Sequence, residues 1–286
     1  MRNAKESIAK VIFIIAACAS IFAVVMICIF LLSSGIPTMR EIGVVDFLFG
    51  TVWNSSTDTY GILPMILGSI YTTAGAILLG VPIGLLTAIF LAKFCPEKIY
   101  KYLKPAVNLL AGIPSIIYGF FGLMVIVPAI RNVNSSSGAS LLAGSIVLAI
   151  MILPTIIGLS ETAIRAVSET YYEGALALGD THERTVMKVM VPSAKSGIMA
   201  SIVLGVGRAI GETMALVMVA GNSPIIPTSI FDRVRTLTSN IVLDIAYASG
   251  LHEQALLATG VVLFIFILII NTCFSLIKGK QEEAND

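Results

Sequence analysis

Residues 65–92, MILGSIYTTAGAILLGVPIGLLTAIFLA, run for 28 positions without one charged side chain. As a helix this stretch is roughly 42 Å long, more than the roughly 30 Å hydrocarbon core of a bilayer requires. Every fourth residue along it is small: Gly68, Thr72, Ala76, Gly80, Gly84, Ala88 and Ala92. A stripe of this kind lets a neighbouring backbone approach closely where lipid supplies no hydrophobic drive for helix association. It reads as a packing seam without substrate information, and Pro82 within it predicts a kink.

Five further stretches match it, Val11 to Leu32, Ala106 to Ile130, Ser140 to Ser160, Gly197 to Gly221, and Gln254 to Ile277, so the expected fold is all-α, a polytopic membrane protein with six transmembrane helices. Composition agrees: of 286 residues 57% are hydrophobic and 12% charged, against roughly 25% charged in soluble domains. The first stretch follows Arg2, Lys5 and Lys10 as a signal peptide would, but its 22 apolar or small residues exceed an h-region and no A-x-A site follows, so it is expected to be retained. With six spans both termini share one side, which carries thirteen Lys and Arg; the other side carries four, Arg40, Arg131, Arg233 and Arg235. By the positive-inside rule both termini are expected in the cytoplasm of a cell whose inner (plasma) membrane holds the chain. The outer loops are then Ser33 to Pro64, Arg131 to Ala139 and Asn222 to Glu253, with Trp53 and Tyr60 expected as interfacial anchors. No connecting segment is long enough to hide a soluble domain, so residues 1–286 read as one membrane domain.

A net charge of +1 points to no nucleic acid partner. Cys18, Cys28 and Cys273 lie in apolar runs and Cys95 stands beside Pro96, spacing that predicts neither a disulfide nor a metal site. Neither His182 nor His252 has a partner in the sequence, and neither is assigned chemistry.

The cytoplasmic segment 161–196 between the fourth and fifth spans reads as two short helices. Thr170 with Glu173 forms a capping box, Gly179 stands where a C′ glycine closes the first helix, and Asp180 with Glu183 opens the second, which Pro192 ends. Val186, Val189 and Met190 share one face of it and Arg184 and Lys188 another, the pattern of an amphipathic docking element.

These residues carry a resemblance. Glu173-Gly174-Ala175, Gly179 six positions after the glutamate, and Val189-Met190-Val191-Pro192 after nine more are similar to the EAA loop of ATP-binding-cassette (ABC) importer permeases. The departures from that pattern, Gly174 for alanine and Val189 and Val191 for Ile and Leu, keep small size and apolar character. The resemblance implies a type I importer permease whose loop fits a groove on a cytoplasmic ATPase, with Glu173, Gly174, Ala175, Gly179 and Pro192 as the coupling residues. The chain has no G-x-x-x-x-G-K-[ST] loop of its own, so ATP is expected at a partner subunit and no cofactor on this chain. Gly207 and Gly211 read as a G-x-x-x-G packing face rather than a phosphate cradle.

Within the fifth span Arg208 lies roughly 16 Å from its inner end, and an ionisable residue at that depth is a functional candidate by default. Glu212 follows at a spacing of four, which on one continuous helix places both side chains on one face, each able to neutralise the other. A guanidinium offers a planar fork of donors to an oxyanion, and a neighbouring carboxylate moderates its hold. The alternative is a pair that satisfies only itself and fixes a helix interface. The run Gly207-Arg208-Ala209-Ile210-Gly211-Glu212-Thr213-Met214-Ala215, closed by Ala220-Gly221-Asn222, resembles the phosphate-specific (Pst) permeases of the PstC type. So do Gly112 to Phe120, Phe47-Leu48-Phe49-Gly50-Thr51 and Tyr60-Gly61-Ile62-Leu63-Pro64. That resemblance implies Arg208 and Glu212 as substrate-pathway residues. It also implies a homologous second permease (PstA type), two ATPase subunits (PstB type), an extracytoplasmic phosphate-binding protein (PstS type) and inorganic phosphate as partners, all in membrane lipid. Rival readings are a permease for sulfate, molybdate or phosphonate, and a secondary transporter using the charged pair as an ion relay. A membrane enzyme is the third, and no nucleophile–base or metal constellation supports it; the catalytic and metal residues expected are none. Tyr118 and Ser115 suit either a pathway or a helix contact.

Overall fold

The computed structural model describes residues 2–133 and 137–282. Helix α1 (Arg2–Ile42) runs ten residues past the expected end of the first span, through Pro37, and is followed by α2 (Val44–Phe49). A two-stranded hairpin, β1 (Trp53–Asn54) and β2 (Thr59–Tyr60), leads to α3 (Leu63–Ile89), which ends in a π turn, Phe90–Phe94. Next come α4 (Glu97–Gly112), α5 (Ser115–Phe121), a π turn at Gly122–Ile126, α6 (Val127–Val133) and α7 (Leu141–Arg165). The coupling segment holds α8 (Glu169–Ala177), α9 (His182–Thr185), a π turn at Val186–Met190 and α10 (Val191–Ser193). The remainder is α11 (Lys195–Gly211), α12 (Met214–Val219), α13 (Leu237–Asp244) and α14 (Leu251–Glu282).

The small stripe of α3 is the seam of the bundle. All seven of its residues are buried, and α3 packs along α7: a Cβ on Gly80 would stand 3.0 Å from Ile152 Cδ1, and one on Gly84 2.9 Å from Ile156 Cγ2. At its outer end a side chain on Gly68 would overlap the Arg235 carbonyl oxygen. Helix α3 runs unbroken through Pro82. The apolar surfaces left exposed on α1, α3 and α14 face what a bilayer would supply as solvent.

Among the described residues five helical stretches are long and apolar enough to cross a membrane: Lys10–Ile42, Leu63–Phe94, Ser115–Val133, Leu141–Arg165 and Leu251–Cys273. The fifth expected span, Gly197 to Gly221, is not one helix. It is α11, bent by 69° from the helical turns before it, then a break at Glu212 and Thr213, then α12. The third expected span, Ala106 to Ile130, is also divided: its first seven residues belong to α4, and the chain breaks at Ile113 and Pro114 before α5. Pro114 explains that break, because its nitrogen has no proton for the carbonyl four residues back.

The segments expected to be outer loops are more ordered than the sequence suggests. Tyr60 is 1% exposed, edge-on to Trp53 at 5.2 Å and stacked on His252 at 5.7 Å, so it is a core residue and not an interfacial anchor. The Phe47-to-Thr51 and Tyr60-to-Pro64 motifs meet backbone to backbone. Ile62 N donates to Phe47 O at 2.9 Å, and a Cβ on Gly61 would overlap Gly50.

Candidate functional site: two broken spans and a coupling loop

Helix α11 ends because Glu212 turns extended (φ −70°, ψ 134°) and Thr213 leaves the helical region (φ −124°, ψ −61°). Arg208 and Glu212 therefore do not share a helix face. No carboxylate pairs with Arg208 among the described residues; its Nη1 donates to Thr155 Oγ1 of α7 at 3.3 Å. Glu212 turns the other way, its Oε1 accepting the Ala215 amide at 3.0 Å and so capping the first turn of α12. The expected mutual neutralisation is thus replaced by two separate arrangements, a half-buried arginine on one neutral hydroxyl and a carboxylate on a helix N-terminus. No helix of this chain packs on the expected G-x-x-x-G face: a Cβ on Gly207 or Gly211 meets nothing within 4 Å, so the face beside Arg208 is open in this chain.

The second break lies against the first. Helix α5 packs on α12 so closely that a Cβ on Gly119 would stand 2.8 Å from Ala215 Cα. One turn into α5, the buried Tyr118 hydroxyl donates to Leu110 O at 2.7 Å. Leu110 O is the acceptor that Pro114, four residues on, cannot serve, and beside the long 3.3 Å bond from the Ile113 amide Tyr118 supplies it a short one across the break. The sequence reading left Tyr118 between pathway and packing; it is a clamp on the second break.

Beyond α12 the chain closes tightly. Gly221 (φ +85°) and Asn222 (φ +53°) both take left-handed conformations, and Asn222 Nδ2 donates to Val217 O at 2.7 Å, which accounts for the Ala-Gly-Asn closure of the motif. Val234 N donates to Ala220 O at 2.9 Å and starts the return of the chain toward the break. Helix α13 then packs against α14, α3 and α12, inside what the sequence reads as an outer loop. Its Thr238 hydroxyl donates to Glu212 O at 2.9 Å. Thr155 and Thr238 have no signal in the sequence beyond their type, whereas the polar run Thr236 to Asn240 before an apolar turn is a visible helix start.

The coupling segment forms the two helices expected, with caps displaced by one or two positions. Ser168, not Thr170, caps α8 through the Thr170 amide, and Thr181, not Asp180, caps α9 through the Arg184 amide; Asp180 pairs with Arg184 at 3.2 Å instead. Backbone hydrogen bonds on that N-cap, with the Thr181 hydroxyl, hold the Glu183 carboxyl below the usual range. Gly179 has φ +91° and its amide donates to Leu176 O at 2.9 Å, the left-handed closure expected of it. Val186 is fully buried against Ile89, Ile164 and Ile198, which seats the second helix on the adjoining ends of α3, α7 and α11, and Met190 is fully buried as well. His182 joins the same seat: its Nδ1 meets Tyr172 Oη at 2.7 Å, and Phe94 lies edge-on at 4.8 Å. Glu173, Gly174 and Gly179 remain exposed, as do Tyr171, Leu178 and Met187. Beside them a cleft of about 810 Å³ opens between Val167, Tyr171, Val189, Pro192 and Gly197.

The profile of the family described as "Binding-protein-dependent transport system inner membrane component" matches residues 80–282. The "Probable ABC transporter permease protein YqgH" of Bacillus subtilis (strain 168) is 42% identical over 90% of this chain and 87% of its own length. The "Phosphate transport system permease protein PstC" of Mesorhizobium japonicum is 36% identical over 79% of this chain and 75% of its own. Among solved structures, a chain of the inward-facing MetNI methionine ABC transporter superposes with a TM-score of 0.60 at 20% identity, over 80% of this chain and 99% of that one, a likeness of fold. The chain belongs to the binding-protein-dependent transport system inner membrane component family, the multi-pass permease subunits of ABC importers.

Proposed function

We propose that this chain is one permease half of an ATP-driven importer of inorganic phosphate, with Arg208 and Glu212 in the substrate pathway. The observation that carries the reading is Arg208. It stands at a break inside a membrane span, has no carboxylate counter-charge among the described residues, and uses one of its donors on a neutral threonine at 3.3 Å. A guanidinium left in that condition at such depth awaits an anion, and phosphate is the anion named for the PstC relatives. Glu212, capping α12 rather than pairing with Arg208, leaves the fork of donors free for substrate while holding the break in shape. The working unit is this chain with a homologous permease of the PstA type, two ATPases of the PstB type that bind the ATP, and an extracytoplasmic phosphate-binding protein of the PstS type. The exposed coupling surface of Glu173, Gly174, Ala175, Gly179 and Pro192 seats on an ATPase, and both termini lie in the cytoplasm. Nucleotide binding moves the two permeases between outward and inward access because the coupling loop is held differently in the two states.

Uptake of labelled phosphate at limiting concentration by cells expressing the whole complex tests this, with Arg208→Ala beside the native chain and assembly followed by pull-down. Native uptake indifferent to excess sulfate, with an assembled variant that does not transport, is expected. Competition by sulfate assigns another oxyanion, and normal transport by the variant removes Arg208 from the pathway.

A further inference from the structure

Residues 236–240, Thr-Leu-Thr-Ser-Asn, are four-fifths polar and lie in a segment between spans, yet each is at most 7% exposed. Burying that much polarity is costly unless the groups are bonded to something specific, and of them Asn240 Nδ2 has no partner among the described residues. Thr236 Oγ1 accepts the Ser239 amide at 3.2 Å and caps α13. Leu237 N donates to Ser69 Oγ of α3 at 3.0 Å, and Arg235 bonds Asn240 Oδ1 at 2.9 Å and Asp244 Oδ2 at 3.2 Å. These bonds fix α13 to the bundle and to itself. Thr238 alone reaches the break, giving its hydroxyl to Glu212 O. That carbonyl belongs to the residue at which α11 stops, and a backbone carbonyl at such a break needs a donor from elsewhere in the protein.

We propose that Thr238 is a positioning residue for transport: through its hydroxyl α13 holds the backbone of the span-five break and thereby sets where Arg208 and Glu212 stand in the pathway. The proposal rests on the placement of Arg208 and Glu212 in that pathway. It gives the outer segment a direct mechanical route inward. A force on residues 222–250 at the outer face reaches Glu212 directly through this hydrogen bond, beside the packing of α13 on α12 and the Val234–Ala220 backbone bond, and does not need to travel through the ATPases. The clamp is independent of the charge on Glu212, since it grips the carbonyl and not the carboxylate.

The test uses the assembled complex with the four native cysteines replaced by alanine and a Gly211→Cys reporter, a position with open space for the new side chain. Thr238→Val keeps the shape and removes the donor; Thr238→Ala removes it without adding volume; Thr238→Ser retains it. The reporter's rate of modification by a charged thiol reagent is expected to rise about ten-fold with Thr238→Val or Thr238→Ala and to stay within about two-fold with Thr238→Ser. In the cysteine-containing complex, ATP hydrolysed per phosphate imported is expected to rise about ten-fold for the first two and stay native for the third. A role in packing alone would lower assembly and leave both ratios unmoved. Unchanged thiol access in Thr238→Val and Thr238→Ala overturns the proposal, as does a Thr238→Ser variant as impaired as Thr238→Ala. Thiol access needs no transport, so a native complex that imports no phosphate would sink the functional reading and still decide the role of Thr238.

Discussion

Helix α4 can be detached by one substitution outside it. None of its sixteen residues is buried, so apolar contact holds it weakly. What ties it to α7 is Glu161, 1% exposed, which accepts from Tyr100 Oη at 2.8 Å and Lys104 Nζ at 2.7 Å on α4, and from Arg165 Nε at 2.9 Å on its own helix. Arg165 also bonds Leu91 O at 2.6 Å and stacks 4.7 Å above the Tyr100 ring. In Glu161→Gln the amide keeps one acceptor and turns its NH₂ toward the Lys104 ammonium, donor against donor. Removing one partner of a fully buried pair costs about 3–5 kcal/mol; because Lys104 is 25% and Arg165 45% exposed, water recovers part of that, and about 2 kcal/mol is the expected loss. That is about a thirty-fold rise in the population with α4 undocked. Limited trypsin digestion reads it directly, since Lys98 and Lys101 are exposed sites on α4 while Lys104 precedes a proline and resists the enzyme. When opening is fast relative to cleavage, the rate at Lys98 and Lys101 follows that population and rises about thirty-fold. A rate within about two-fold of native refutes the view that Glu161 is what docks α4.

Gly119→Ala puts a methyl group against Ala215 Cα at 2.8 Å, where backbone and not a flexible side chain must yield, and an overpacking cost of about 1–3 kcal/mol is expected as a lower melting temperature of the purified complex. Gly207→Ala meets nothing in this chain, so the melting temperature of that variant is expected to match the native one. Gly179→Ala, at φ +91°, costs about 1 kcal/mol in the coupling loop and should weaken retention of the ATPase in a pull-down. The Tyr60 phenol is pushed up to about 12 from 10.0, chiefly by burial and then by its bond to Asp58. Its folded value lies above the unfolded one, so its support of the fold is complete below pH 10 and is lost as pH climbs toward 12. The phenolate absorbance that Tyr60→Phe removes should therefore appear near pH 12 and not near 10.

Membrane crossing, the α3 seam, the coupling helices and Gly179 are legible in the sequence because each depends on a local pattern: an apolar length, a period of four, a cap, a positive φ. Arg208 was legible as a buried charge for the same reason. Its partner was not. Assigning Glu212 to it presumes a continuous helix, and the turn at Glu212–Thr213 carries no proline, only the weaker signal of Gly211 just before it. Beside the local Glu212 cap it is met by Thr238, twenty-six residues on, and no local pattern encodes that contact. Tyr60 misled in another way: an aromatic near a span end usually serves the interface, but here the hairpin folds it under His252, a contact between residues 192 positions apart.

The two breaks obey one rule. Inside a bilayer, backbone freed from a helix must find a partner within the protein, and each break here has a carbonyl served by a hydroxyl: Leu110 O by Tyr118 and Glu212 O by Thr238. The first hydroxyl comes from the helix that follows its own break, so that clamp closes locally and can travel with α5. The second comes from a segment outside the span, so that clamp couples two parts of the chain that can move apart. Because α5 rests on α12 through Gly119 and Ala215, a shift of one break presses on the other. Releasing the Thr238 clamp is therefore expected to loosen the span-five break first, where Arg208 rests on α7 through the Thr155 hydroxyl.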